Sequence, residues 1–164
     1  MTASTQSTPE ASVRKTVLVN ATPEHAFRVF TDGVDTWWPR QHHIGKAPMK
    51  RVLIEGKVGG RCYSEQTDGA DCDWGSVLVW DPPRRFVLAW QINASWQFES
   101  DLSRSSEVEV RFIPEGSGMT RVDLEHRHFD RLGEGGEGMR TAVEGPMGWN
   151  ETLRLFAERA ALPE

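Results

Sequence analysis

One stretch constrains the fold of this chain most: Trp74-Gly-Ser-Val-Leu-Val-Trp-Asp-Pro-Pro-Arg-Arg-Phe-Val-Leu-Ala-Trp-Gln91 sets two apolar, β-favouring runs around Asp81-Pro82-Pro83-Arg84. Proline fixes φ and removes a backbone donor, so Pro82-Pro83 belongs in a turn and not inside a ladder. Valine, leucine, phenylalanine and tryptophan favour a pleated surface, and the stretch reads as a central β-hairpin. It holds Trp74, Trp80 and Trp90, out of seven tryptophans in 164 residues. So much aromatic surface on one sheet points to a lined cavity.

Around this hairpin the order of elements is legible. Alternation predicts a strand over 13–20, and then Thr22-Pro23-Glu24-His25-Ala26-Phe27 changes to helical spacing, with Thr22 as N-cap and Pro23 at the first helical position. Ala26, Phe27 and Phe30 form its apolar stripe, and Asp32-Gly33 ends it before a second short element containing Trp37-Trp38-Pro39. Strands follow at 51–55, 60–66, 74–80, 85–93, 107–113 and 119–129, separated by Gly, Pro, Asp and Ser turns. The segment from Gly148 to Ala160 puts Trp149, Leu153, Phe156 and Ala160 on one helical face. Gly145-Pro146 is expected to break any helix that begins near Met139.

This pattern predicts an α+β domain over 13–162: a curved antiparallel sheet of about six to seven strands, two short helices after the first strand, and a C-terminal helix against the apolar face. The first twelve residues, rich in Thr, Ser and Gln, read as a disordered tail and fit neither a secretory signal nor an anchor. A net charge of −5 with no basic run argues against nucleic acid, and no apolar stretch reaches a bilayer-spanning length. The expected address is cytoplasmic. Cys62 and Cys72 flank a turn at Thr67-Asp68-Gly69-Ala70 that sets Glu65 opposite Cys72 and Cys62 opposite about Gly75. The sulfurs are then offset by roughly three residues, or ~10 Å, too far for a bridge.

Chemical motifs are sparse. His42 and His43 are adjacent nitrogen donors, but neighbours on an irregular segment point apart and no third ligand stands at a metal spacing, so no metal or cofactor is expected. Neither a Gly-Xaa-Ser-Xaa-Gly elbow nor a cysteine nucleophile signature is present, and Gly133-Glu-Gly-Gly-Glu-Gly138 lacks the strand and lysine of a phosphate loop. It reads as a linker before the last helix, or as a gate over a pocket. No catalytic residue is assigned.

Four segments together resemble a known superfamily: Ala21-Thr-Pro-Glu-His-Ala-Phe with Phe30-Thr-Asp, the hairpin from Gly75 to Trp90, Thr120-Arg-Val-Asp-Leu-Glu-His-Arg, and Gly148-Trp149 opening the last helix. They resemble the START or Bet v-like (SRPBCC) superfamily, in the branch related to activators of a heat-shock-protein ATPase, a bacterial group often labelled polyketide cyclase-like. The resemblance implies a helix-grip fold, in which the sheet wraps a long C-terminal helix, and a cavity between the two.

On 120–128 the alternation sets Val122, Leu124, His126 and His128 on one face. In the same way Phe86, Leu88, Trp90 and Ile92 share one face of their strand, and Val108, Val110 and Phe112 one face of theirs. The candidate ligand-binding residues are Trp37, Trp38, His42, His43, Trp74, Leu88, Trp90, Trp96, Phe112, His126, Trp149 and Leu153. The leading expectation is a carrier or sensor that binds a small hydrophobic or aromatic molecule, as a monomer or homodimer and without a membrane partner. The alternatives are a cyclase, dehydratase or hydrolase acting on a polyketide-like substrate, with His126 working beside Asp73 or Glu65, and a chaperone-binding module.

Overall fold

The computed structural model describes residues 12–40, 42 and 46–162. The expected tail, apart from Ser12, and His43 lie outside the described residues. Strand β1 (Val13–Val19) leads into α1 (Pro23–Phe30), where Thr22 Oγ1 accepts from the His25 backbone N–H at 3.2 Å and Pro23 opens the first turn. This is the capping that the sequence predicts: the threonine satisfies an orphan donor and the proline has none to lose. A 3₁₀ turn (Val34–Thr36) carries the chain to Trp37 and Trp38. Six strands follow: β2 (Met49–Ile54), β3 (Arg61–Gln66), β4 (Asp71–Asp81), β5 (Arg85–Trp90), β6 (Ser106–Pro114) and β7 (Thr120–Arg127).

All seven strands pair antiparallel in one curled sheet, in the order β1-β7-β6-β5-β4-β3-β2. Register irregularities at Met49/Arg51, Cys62/Tyr63 and Val77/Val79 bend it, as bulges do. Gly75 leaves no room for a side chain, since a Cβ there would lie 2.6 Å from the Ala89 carbonyl oxygen. Cys62 faces Gly75 as expected, but the irregularity at Cys62/Tyr63 sets Cys72 against Ser64 and not Glu65. Both cysteines are free thiols, and burial pushes the Cys62 pKa well up.

The concave face is filled by rings. Phe27 of α1 lies 5.1 Å from Phe112 and 5.7 Å from Phe86, and Phe30 lies 4.7 Å from Phe156. The C-terminal helical segment comes in two pieces, as Gly145-Pro146 predicts: α2 (Gly136–Glu144), a π-type turn over Pro146–Asn150, and α3 (Glu151–Ala160). A side chain at Gly148 would collide with the Val143 carbonyl, so the break is built around glycine. Thr152, Leu153, Phe156 and Ala160 bury the inner face of α3.

The convex face is held by charge. Glu109, 4% exposed, accepts from Arg85 at 2.8 Å, Arg111 at 2.9 Å and Arg127 at 2.5 Å. Desolvation pushes its carboxyl up, but the three arginines prevail and hold it at about 2.

Candidate functional site

Four indoles form a closed circuit at one end of the concave face. Trp38 stacks on Trp74 with ring centroids 5.8 Å apart and planes at 14°; Trp74 meets Trp90 at 5.4 Å, Trp90 meets Trp149 at 5.5 Å, and Trp149 returns to Trp38 at 6.2 Å. Each comes from a different element: the loop after the 3₁₀ turn, β4, β5 and the break between α2 and α3. Strand pairing fixes two of them, because Trp90 lies opposite Gly75, the neighbour of Trp74. The Trp38 indole N–H donates to the His42 carbonyl at 2.9 Å, which holds the loop turn that carries His42.

These indoles wall a cavity of about 220 Å³. Met49, Ser64 and Ile92 complete its sheet side, Ala142, Val143, Gly148 and Thr152 its helical side, and Trp96 and His42 also line it. Polar groups are few. Ser64 Oγ donates to Gln66 Oε1 at 2.5 Å, and Thr152 Oγ1 donates to the Gly148 carbonyl at 3.1 Å. The Trp90 indole N–H is buried without a hydrogen-bond partner among the described residues. An apolar, aromatic chamber with a handful of placed polar groups is built to hold a small molecule by area and shape.

Behind the circuit, His126 is fully buried, and Trp149 Nε1 donates to its Nδ1 at 3.1 Å. An indole N–H can only donate, so Nδ1 carries no proton and the neutral ring must carry it on Nε2, which donates to Ser106 Oγ at 2.8 Å. Burial lowers the His126 pKa to about 3 and keeps it uncharged.

The residues from 20 to 161 match the family model described as Activator of Hsp90 ATPase homolog 1-like protein. The chain belongs to this family. Among solved structures, it is 44% identical to Txn09, an anthrahydroquino-γ-pyrone synthase, over 90% of this chain and 95% of that one, with a TM-score of 0.64. It is 30% identical to CalC from Micromonospora echinospora, a self-sacrificing resistance protein, over 91% and 93%, with a TM-score of 0.65. Protein NE0264 from Nitrosomonas europaea, at 15% identity, shares the fold over 95% and 97% with a TM-score of 0.65. No curated protein matches the chain. The helix-grip architecture expected from the resemblance is the architecture observed, and no described helix is long and apolar enough to cross a membrane.

Within this Activator of Hsp90 ATPase homolog 1-like domain, the structure brings Trp38, His42, Trp74, Trp90, Trp96 and Trp149 to the cavity wall. The other described candidates lie elsewhere. Trp37 packs between Phe30 at 4.9 Å and Phe156 at 5.3 Å, with its N–H given to the Val29 carbonyl. Leu88 and Phe112 are buried in the core, and Leu153 reaches a shallow groove between β1 and α3. The imagined acid–base group does not form: Asp73 pairs with Arg61 at 2.5 Å and Glu65 with Arg51 at 2.7 Å, on the face of β3 opposite Ser64, while both His126 nitrogens are engaged. His128 leaves the strand at φ 68° and is exposed, because β7 ends at Arg127. No cluster of three His, Cys, Asp or Glu among the described residues could hold a metal.

Sequence reading missed Met49, Ser64, Ala142, Val143, Gly148 and Thr152 as lining residues. For Ser64 a signal existed: it alternates in phase with Cys62 and Gln66 on β3, all three buried. Ala142 and Val143 gave none, because their helix had no assigned cavity side.

Proposed function

We propose that this protein binds a flat, largely apolar aromatic molecule of the polyketide type in the tryptophan-walled cavity, as a carrier or sensor. The observation that carries the reading is the circuit of Trp38, Trp74, Trp90 and Trp149 around one apolar chamber. Indole faces favour offset or edge contact with other aromatic rings, at about 0.5–1.5 kcal/mol per pair beyond area burial. Drug-sized ligands occupy pockets of roughly 300–1,000 Å³. A cavity of about 220 Å³ therefore suits a compact fused-ring molecule better than a lipid chain.

Similarity to Txn09, whose name makes it the synthase of a fused aromatic pyrone, supports the ligand class. The same similarity favours a second reading, in which the bound aromatic precursor is also cyclised. The two differ in one respect: a binder returns its ligand unchanged, whereas an enzyme yields a product of new mass or ring count.

The test is native mass spectrometry of the purified protein, followed by tryptophan-fluorescence titration with anthraquinones and by mass analysis of each ligand after incubation. Saturable quenching, weakened by Trp74→Ala, is the expected result. Absence of quenching across the panel would overturn the proposal.

A further inference from the structure

His42 is the only titratable side chain among the described residues that line the cavity. Every other polar side chain there is neutral, and the Ser64 and Thr152 hydroxyl protons are already donated within the protein. Among the described lining residues the imidazole is therefore the one side chain basic enough to draw a proton from a bound molecule.

Its position is fixed from both sides. The His42 backbone N–H donates to the Pro39 carbonyl at 3.0 Å, its carbonyl accepts from the Trp38 indole, and its ring stands edge-on to Trp38 at 6.3 Å. The indole that walls the cavity thus also seats the imidazole beside it. His42 is only half-buried, so water can exchange its proton. On the helical side lies Glu151, the residue before the cavity-lining Thr152, gripped by Arg154 at 2.6 Å. Arg154 holds the Glu151 carboxyl below its usual range.

Resting on the aromatic-binding reading above, we infer that His42 selects flat aromatic ligands that carry an acidic hydroxyl, by accepting the hydrogen bond of a phenol or enol at the cavity wall. The physical reason is asymmetry. A neutral imidazole nitrogen accepts a hydrogen bond from an acidic hydroxyl, and gains nothing from an ether or a bare ring edge. The indoles alone would bind all three.

The test compares 2-hydroxyanthraquinone with 2-methoxyanthraquinone and unsubstituted anthraquinone, by fluorescence titration of the wild type and of His42→Phe. The expected result is a preference of about tenfold for the hydroxyl compound in the wild type, the scale of one net hydrogen bond, falling to near unity in the variant. A red shift of the hydroxyanthraquinone visible band on binding should accompany the preference and vanish with the imidazole. Equal wild-type affinity for the hydroxyl and methoxy compounds overturns the inference whatever the variant does. A preference that survives in a folded His42→Phe also overturns it. Failure of all three compounds to bind would instead remove the aromatic-binding reading on which it rests.

Discussion

Trp149 Nε1 donates to His126 Nδ1 across 3.1 Å, and this one bond ties the break before the last helix to the inner face of β7. It fixes the imidazole tautomer and sets the back wall of the cavity. It also removes His126 from chemistry, since the second nitrogen is engaged with Ser106.

The first prediction concerns acid stability through His126. Its folded pKa of about 3 lies below the unfolded value of 6.5, so the unfolded chain binds the extra proton between those values. Its contribution is complete above pH 6.5 and is lost as pH falls toward 3. Urea unfolding should show stability falling by about 1.4 kcal/mol per pH unit from this group across that window. In His126→Phe the slope should disappear, while stability at pH 7.5 drops by about 1–3 kcal/mol because Ser106 and Trp149 lose their partner.

Glu109 should act in a separate and lower window. Its carboxyl is held at about 2 against the ordinary 4.5, so its stabilisation is complete above 4.5 and lost as pH falls through 2. Glu109→Gln should remove this part of the acid transition and cost about 1–3 kcal/mol at neutral pH. A variant with an unchanged acid limb would show that Arg85, Arg111 and Arg127 contribute nothing through Glu109.

How much of this was legible in the sequence follows from what alternation can and cannot encode. Thr22, Pro23 and the in-phase run Val122, Leu124, His126 carry their structure locally, and they are where the sequence places them. Depth is not local. Leu88 and Trp90 share one face of β5, yet one lies in the core and the other at the cavity, because the approach of the helical segment decides where packing stops. Trp37 and Trp38 are neighbours in sequence, and only the 3₁₀ turn before them sends one into the core and the other to the wall.

Trp96 separates backbone cost from ligand contact. It lines the cavity while 50% exposed and holds φ at 60°, in a turn closed by Asn93 Oδ1, which accepts from Ser95 N at 2.9 Å and Gln97 N at 3.1 Å. A left-handed backbone costs a non-glycine residue about 1–2 kcal/mol. Trp96→Gly should therefore leave the thermal midpoint unchanged or raised, and weaken anthraquinone binding by roughly 2- to 10-fold. Trp96→Ala should weaken binding equally without the gain in stability.

Gly148→Ala should damage stability and site together. The added Cβ meets the Val143 carbonyl, and both Val143 and the adjacent Trp149 line the cavity. The expected cost is about 1–3 kcal/mol with loss of ligand-induced quenching, measured by urea unfolding and titration.

The account stands or falls on whether the indoles of the cavity are the ones a ligand meets. Seven tryptophans give seven indole N–H signals in a ¹⁵N correlation spectrum, each assignable by substitution. Titration with 2-hydroxyanthraquinone should move those of Trp38, Trp74, Trp90, Trp96 and Trp149, and leave Trp37 and Trp80, which stand outside the lining, in place. Shifts centred on Trp37 and Trp80, or none at saturating ligand, would contradict it.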